Sequence, residues 1–333
     1  MCGMKKVAMA LLAAMLLTAA ASAQPAHLQP GSALVYPLFD SAPGNGTVIC
    51  VTNLNDNNEY CQNSDFRKGD ILVHYVYVDG ETWVEFDRYE MLTRGDTLCV
   101  IADQHNPEGE AGFLTIAAMD PSTLESVVFD YLIGSAILVQ SDLNFLWSYT
   151  PYAFKGLASG GSDCNLATTD ADGDGAMDFD GSTEYSSFPR ELMVDNFFEE
   201  TDNFDNQLTL MTTAGSVYTA EVDFLFWNNI EQKFSRSFDF VCWWSGKLSD
   251  ISAIAGTLGG DSQEMGVPPV ENGWVSIKGS RIVDGAGNPV STDYPPLLGV
   301  FAQFITSADF AAGHALHYTG SIDGLELLAG DGN

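Results

Sequence analysis

Residues 170–181 read DADGDGAMDFDG, with aspartates at 170, 172, 174, 178 and 180 and no cation among them. Carboxylates gathered this closely repel one another unless a cation or solvent stands between them. Hard oxygen donors in this number suit calcium (Ca2+), which takes about six to eight oxygens at ~2.3–2.6 Å in irregular geometry. Magnesium fits less well, because it demands a near-octahedron and keeps its waters. Counted from the first aspartate, Asp170, Asp172 and Asp174 stand at positions 1, 3 and 5. Gly175 follows at position 6, where the chain must turn sharply and a Cβ would obstruct it. Ala176 at position 7 offers its backbone carbonyl, and Asp178 stands at position 9.

In that register the stretch resembles the calcium loops of EF-hands, dockerins and thrombospondin type 3 repeats, over 170–181 only. It departs from the EF-hand at position 12, where Gly181 replaces a bidentate Glu, and no helical pattern flanks it. A closing carboxylate must come from Asp180, or from Glu184 folding back. The resemblance therefore implies a structural calcium ion held by Asp170, Asp172, Asp174, the Ala176 carbonyl, Asp178 and one or both of Asp180 and Glu184. The alternative is an acidic linker that binds no ion.

Other chemistry is thinly provided for. No GxSxG nucleophile elbow, HExxH zinc signature, P-loop or GxGxxG motif occurs. His74 lies in ILVHYVYV on the strand face shared with Leu72, Val76 and Val78, a place for a satisfied histidine rather than a base. His105 sits beside acids in the loop DQHNPEGE. His314 and His317, in GHALHYTG, are three apart, which on one uninterrupted strand puts them on opposite faces. Nothing among the 45 acids singles out the carboxylate pair that glycoside hydrolysis needs. Aromatic residues offer a second kind of site. Trp243 and Trp244 are adjacent, so on a strand one faces inward and the other outward. An outward Trp244 would stack on a sugar ring, as would Trp147 and Tyr149 in NFLWSYTPYAF. The same residues also serve as core and interface fillers, and both readings stay open.

Strands must position these residues. ALVYPLF, GTVICVTNL, DILVHYVYVDG, TLCVIA and GFLTIAAM carry β-branched and aromatic residues at strand length, and so do SVVFDYLIG, NQLTLMTT, TAEVDFLFW, FSRSFDFVCWW, GWVSIKG and LLGVFAQFI. Beyond the N-terminal segment, no stretch holds a period of about 3.6 residues over three turns. The fold class is all-β. The strands also repeat in order. TVICVT (47–52) resembles LTLMTT (208–213), and VHYVY (73–77) resembles VDFLF (222–226). GFLTI (112–116) resembles GWVSI (273–277), and LIG (132–134) resembles LLG (297–299). The expected architecture is two tandem Ig-like antiparallel β-sandwiches, residues 30–157 and 185–328. The acidic loop at 158–184, which contains no Lys or Arg, joins and stiffens them. The final DGLELLAGDGN is expected to trail as a tail.

At the N-terminus Lys5 and Lys6 precede the apolar run VAMALLAAMLLTAAA and then ASAQ, the pattern of a signal peptide cleaved after Ala23. A retained membrane anchor is the alternative, but the run is short for a span. Cleavage removes two of the 13 Lys and Arg and none of the 45 Asp and Glu, so the formal charge goes from −32 to −34. Such a surface repels nucleic acid and anionic lipid and suits an exported protein, whether periplasmic, cell-surface or extracellular. A glycan or a protein at the cell exterior is the kind of partner expected, and the oligomeric state is left open. Five cysteines remain, Cys50, Cys61, Cys99, Cys164 and Cys242, with no zinc spacing. Cys50 with Cys99 and Cys61 with Cys164 are the preferred pairs, leaving Cys242 as a buried thiol. These features point to a non-enzymatic structural, adhesive or ligand-binding protein. A carbohydrate-binding module and a secreted hydrolase with an unidentified carboxylate pair are the alternatives.

Overall fold

The computed structural model describes residues 29–327, apart from 62–64, 107–108, 141–144, 163, 171, 180, 203, 216, 230, 252–271, 292–293 and 323–325. The expected signal peptide and the last residues of the expected tail lie outside the described residues. The fold is all-β and its long ladders are antiparallel. No helix among the described residues is long and apolar enough to cross a membrane.

The first half builds two facing sheets. One has the order β4 (Glu85–Leu92), β3 (Ile71–Asp79), β6 (Ala111–Met119), β1 (Ala33–Asp40), β9 (Tyr152–Phe154). The other runs β5 (Thr97–Ile101), β2 (Asn45–Asn53), β7 (Leu132–Gln140), β8 (Phe145–Tyr149). After the short strand β10 (Met177–Asp178), the second half repeats this order. Its larger sheet is β14 (Lys233–Phe240), β13 (Thr219–Asn228), β16 (Asn272–Val283), β11 (Phe188–Phe198), β20 (His317–Ile322), with β17 (Pro289–Ser291) added beside β16. Its smaller sheet is β15 (Trp243–Gly246), β12 (Phe204–Thr212), β18 (Leu297–Ile305), β19 (Phe310–Ala315). The repeat extends to register. Tyr77, which ends VHYVY, pairs with Leu114 at the centre of GFLTI. Phe226, which ends VDFLF, pairs in the same way with Val275 at the centre of GWVSI. Even a bulge is repeated: the register slips between Tyr36 and Phe39 in β1 and between Val194 and Phe197 at the matching place in β11.

Alternation places the cores. In β3 the odd residues Ile71, Val73, Tyr75 and Tyr77 are fully buried while Leu72, His74 and Val76 are half-buried, as a period of two requires. The apolar run of β18 has both faces covered. Leu297 and Phe301 enter the second core, whereas Leu298, Val300, Ala302 and Phe304 enter the first together with Met211 and Ala315. One buried cluster therefore runs through both halves. Tyr152 seals it by donating its hydroxyl to the Gly299 and Leu316 carbonyls at 2.9 and 3.0 Å, and Trp243 Nε1 donates to the Pro37 carbonyl at 2.9 Å. Gly313 lies flat under the Trp147 ring, where a Cβ would come within 2.0 Å of it. Disulfides join Cys50 to Cys99, opposite residues of β2 and β5, and Cys61 to Cys164, while Cys242 is a free, buried thiol.

Candidate functional site

The acidic loop is built on a hydrophobic plug. Phe179 and Tyr185 are fully buried, and the Phe179 ring lies 4.5 Å from that of Phe154 and 4.9 Å from that of Phe188. Tyr185 shares a 2.9 Å hydrogen bond with the Thr169 hydroxyl. Bridges from Thr168 to Val127 and from Tyr185 to Gly156 tie both flanks to the first half. Met177 and Asp178 pair with Leu327 and Glu326 of a last strand, β21 (Glu326–Leu327), so part of the expected tail returns to the loop. The segment 158–184 is thus fastened along its length instead of spanning a gap.

Within this frame the aspartates fold the chain around themselves. Asp170 accepts from the Gly173 and Gly175 N–H groups at 2.7 and 3.2 Å, Asp172 from Asp174 N–H at 3.3 Å, and Asp174 from Ala176 N–H at 2.8 Å. Gly173 and Gly175 stand at φ +79° and +83°, a region that a Cβ disfavours. Glu184, only 2% exposed, folds back and accepts from the Asp178 N–H at 2.9 Å. Asp170, Asp172 and Glu184 bring one carboxylate oxygen each within 4.8 Å of the others. Asp174 and Asp178 lie on the same loop but outside that cluster, and Asp180 lies outside the described residues. A carboxylate as buried as Glu184 beside two others is costly unless a cation or donors neutralise it.

Of the two readings left open for the aromatic residues, Trp147 and Tyr149 take the core-filling one. Trp147 and Tyr149 are 4% and 3% exposed, because β19 of the second half covers β8. Tyr149 also hydrogen-bonds to the Leu38 backbone. Trp244 is half-buried against the second core, its ring 4.9 Å from that of Phe238. The sequence shows no sign of this covering because it comes from strands far along the chain. An aromatic pair that sequence reasoning missed stands elsewhere: Trp227 and Trp274 oppose each other on β13 and β16 and stack at 3.8 Å. On the same sheet opens a cleft of about 720 Å³ lined by Glu191, Asp223, Leu225, Ser276 and Lys278 among others. The Ser276 hydroxyl donates to Glu191, the Ser237 hydroxyl donates to Asp223 at 2.6 Å, and Lys278 pairs across the ladder from Asp223.

His74 behaves as a satisfied side chain, whereas the buried Nε2 of His105 lacks a hydrogen bond. His74 stacks on Tyr89 at 4.3 Å and meets Asp87 at 2.8 Å. His105 meets the Tyr77 hydroxyl at 2.9 Å, and burial lowers its pKa, with Glu90 at 3.5 Å pulling the other way. Burial pushes the Cys242 thiol up to about 11, so it is a poor nucleophile. His314 and His317 correct the strand-parity expectation. The chain leaves one sheet at Ala315 and joins the other at His317, which turns both rings to one side, 5.4 Å apart. Against known proteins, no family model matches the chain and no curated protein matches it.

Proposed function

We propose that this is an exported, non-catalytic protein whose two repeated halves, read as fused Ig-like sandwiches, form a rigid structural or adhesive body stabilised by calcium. Glu184 carries the reading. It is a nearly fully buried carboxylate, within 4.8 Å of Asp170 and Asp172, in a loop whose first six positions follow a calcium-binding register. Asp170, Asp172 and Glu184 would supply side-chain oxygens, Ala176 its carbonyl, and Asp174 and Asp178 the outer carboxylates. The ion's chemistry there is neutralisation and cross-linking. Two disulfides and the expected signal peptide support an oxidising compartment outside the cytoplasm. Calorimetric titration of chelator-treated protein with calcium tests the loop: the reading expects a binding isotherm that Glu184→Gln weakens. Heat traces identical to buffer would remove calcium from the reading.

A second reading rests on the sheet face beside the cleft. Trp274, 38% exposed and stacked on Trp227, stands on the same sheet as the cleft's serines and paired charges, the elements of a glycan-binding face. Glycan-array binding that Trp274→Ala abolishes would favour it. A hydrolase reading would need Glu191 and Asp223, two strands apart with Lys278 on the strand between them, to act as the facing carboxylate pair.

A further inference from the structure

We propose that Asp195, His314 and His317 form a second metal site, distinct from the acidic loop, that takes a zinc-class divalent cation. Three strands deliver these side chains to one place. The β11 bulge between Val194 and Phe197 holds Asp195, and such irregularities re-aim a side chain out of the regular alternation. The break at Leu316, between the end of β19 and the start of β20, sets His314 and His317 on adjoining sheets. His314 Nε2 lies 3.7 Å from Asp195 Oδ1, and His317 Nε2 lies 3.5 Å from Asp195 Oδ2.

Those separations are longer than good hydrogen bonds, which close to about 2.7–3.2 Å. Each histidine faces a different oxygen of Asp195, so the three come onto one tetrahedral zinc ion, whose donors stand ~3.3 Å apart at ~2.0–2.1 Å from the metal, only as the rings and the carboxylate close in. The tautomer agrees. His314 Nδ1 lies 2.9 Å from the Ala315 carbonyl, and since a carbonyl only accepts, Nδ1 carries the proton. In the neutral ring the Nε2 lone pair then faces the carboxylate, the arrangement in which a backbone carbonyl orients a metal-ligating imidazole. The two rings are tilted by 34° with their centroids 5.4 Å apart, and the His317 side chain is half-exposed. Three protein ligands leave the fourth zinc position to water or to an incoming donor.

The internal repeat sharpens the assignment. His317 pairs with Met193 as Tyr152 pairs with Val35, and His314 pairs with Phe301 as Tyr149 pairs with Ala136, so the two histidines occupy the places of the two tyrosines. Asp195 follows Val194 at the start of the β11 bulge as Pro37 follows Tyr36 in β1. In the first half these positions do structural work, docking the second half through Tyr152 and the Pro37 carbonyl and holding the strand at the bulge through Tyr149. In the second half all three are of ligand type.

The test is zinc titration by calorimetry of the untagged full chain, saturated with calcium, in wild type, His314→Ala, His317→Gln, Asp195→Asn and an Asp170→Asn/Asp172→Asn double variant. The cobalt spectrum serves as a second readout, and circular dichroism verifies that each variant is folded. The expected result is one zinc per chain, weakened by about tenfold or more in each of the three ligand variants. The double variant should bind zinc as wild type does, and bound cobalt should give tetrahedral visible bands. Absence of zinc binding in wild type overturns the proposal. So does binding that survives in His314→Ala and His317→Gln, or binding that is lost only in the double variant.

Discussion

At the scale of single residues, two positions carry consequences that solution measurements reach. Gly175 stands at φ +83° with nothing within 4 Å of an added Cβ, so Gly175→Ala acts through backbone strain alone. The expected cost is about 1–2 kcal/mol, read from denaturant midpoints; an unchanged midpoint would mean that the turn is not held left-handed. His105 has a pKa lowered chiefly by burial, so the unfolded chain binds its proton more readily than the folded one. Its stabilisation is therefore complete above about pH 6.5 and is lost as the pH falls through the lowered folded value. Melting temperatures taken from pH 7.5 down to about pH 5.5 should fall in the wild type and fall less in His105→Gln. Equal slopes would assign the acid sensitivity to the carboxylates instead.

At the scale of elements, strand chemistry was legible because period-two alternation and β-branched runs such as ILVHYVYV are local signals. The likeness of VHYVY to VDFLF and of GFLTI to GWVSI anticipated ladder register, since a strand that slips by one place exposes its core face. What covers a strand was not legible. Trp147 and Tyr149 look available in NFLWSYTPYAF, yet Phe304 and Gly313, from the other half of the chain, lie against that strand. Likewise GHALHYTG reads as one uniform strand, whereas the chain changes sheets at Leu316 and brings two histidines together. The acidic loop was readable as far as its register, and Glu184 was one of two candidates for its closing carboxylate. The plug beneath the loop was not anticipated. Phe179→Ala should empty a fully buried site and destabilise the protein by about 3–5 kcal/mol in equilibrium denaturation. A loss below about 1 kcal/mol would show that the loop is not anchored through this ring.

At the scale of the whole molecule, the shared cluster of Leu298, Val300, Ala302 and Phe304 with the first half argues for one cooperative body. Residues 29–157 produced alone would leave Tyr152 without its Gly299 and Leu316 acceptors and uncover a broad apolar face. That fragment should bind a hydrophobic dye and self-associate; a monomeric, dye-silent fragment would mean that the halves are independent. In the function proposed above, calcium holds the same body together at the loop where its C-terminal strand returns. Thermal unfolding of the full chain, followed with calcium and with chelator, tests this most directly. A ligand bound only by the folded state raises stability by RT ln(1 + [L]/Kd), or about 2.7 kcal/mol when calcium stands at about 100 times Kd. The prediction is a single transition whose midpoint rises with calcium concentration in the wild type and stays fixed in Asp172→Ala. Superimposable wild-type curves with calcium and with chelator would contradict it.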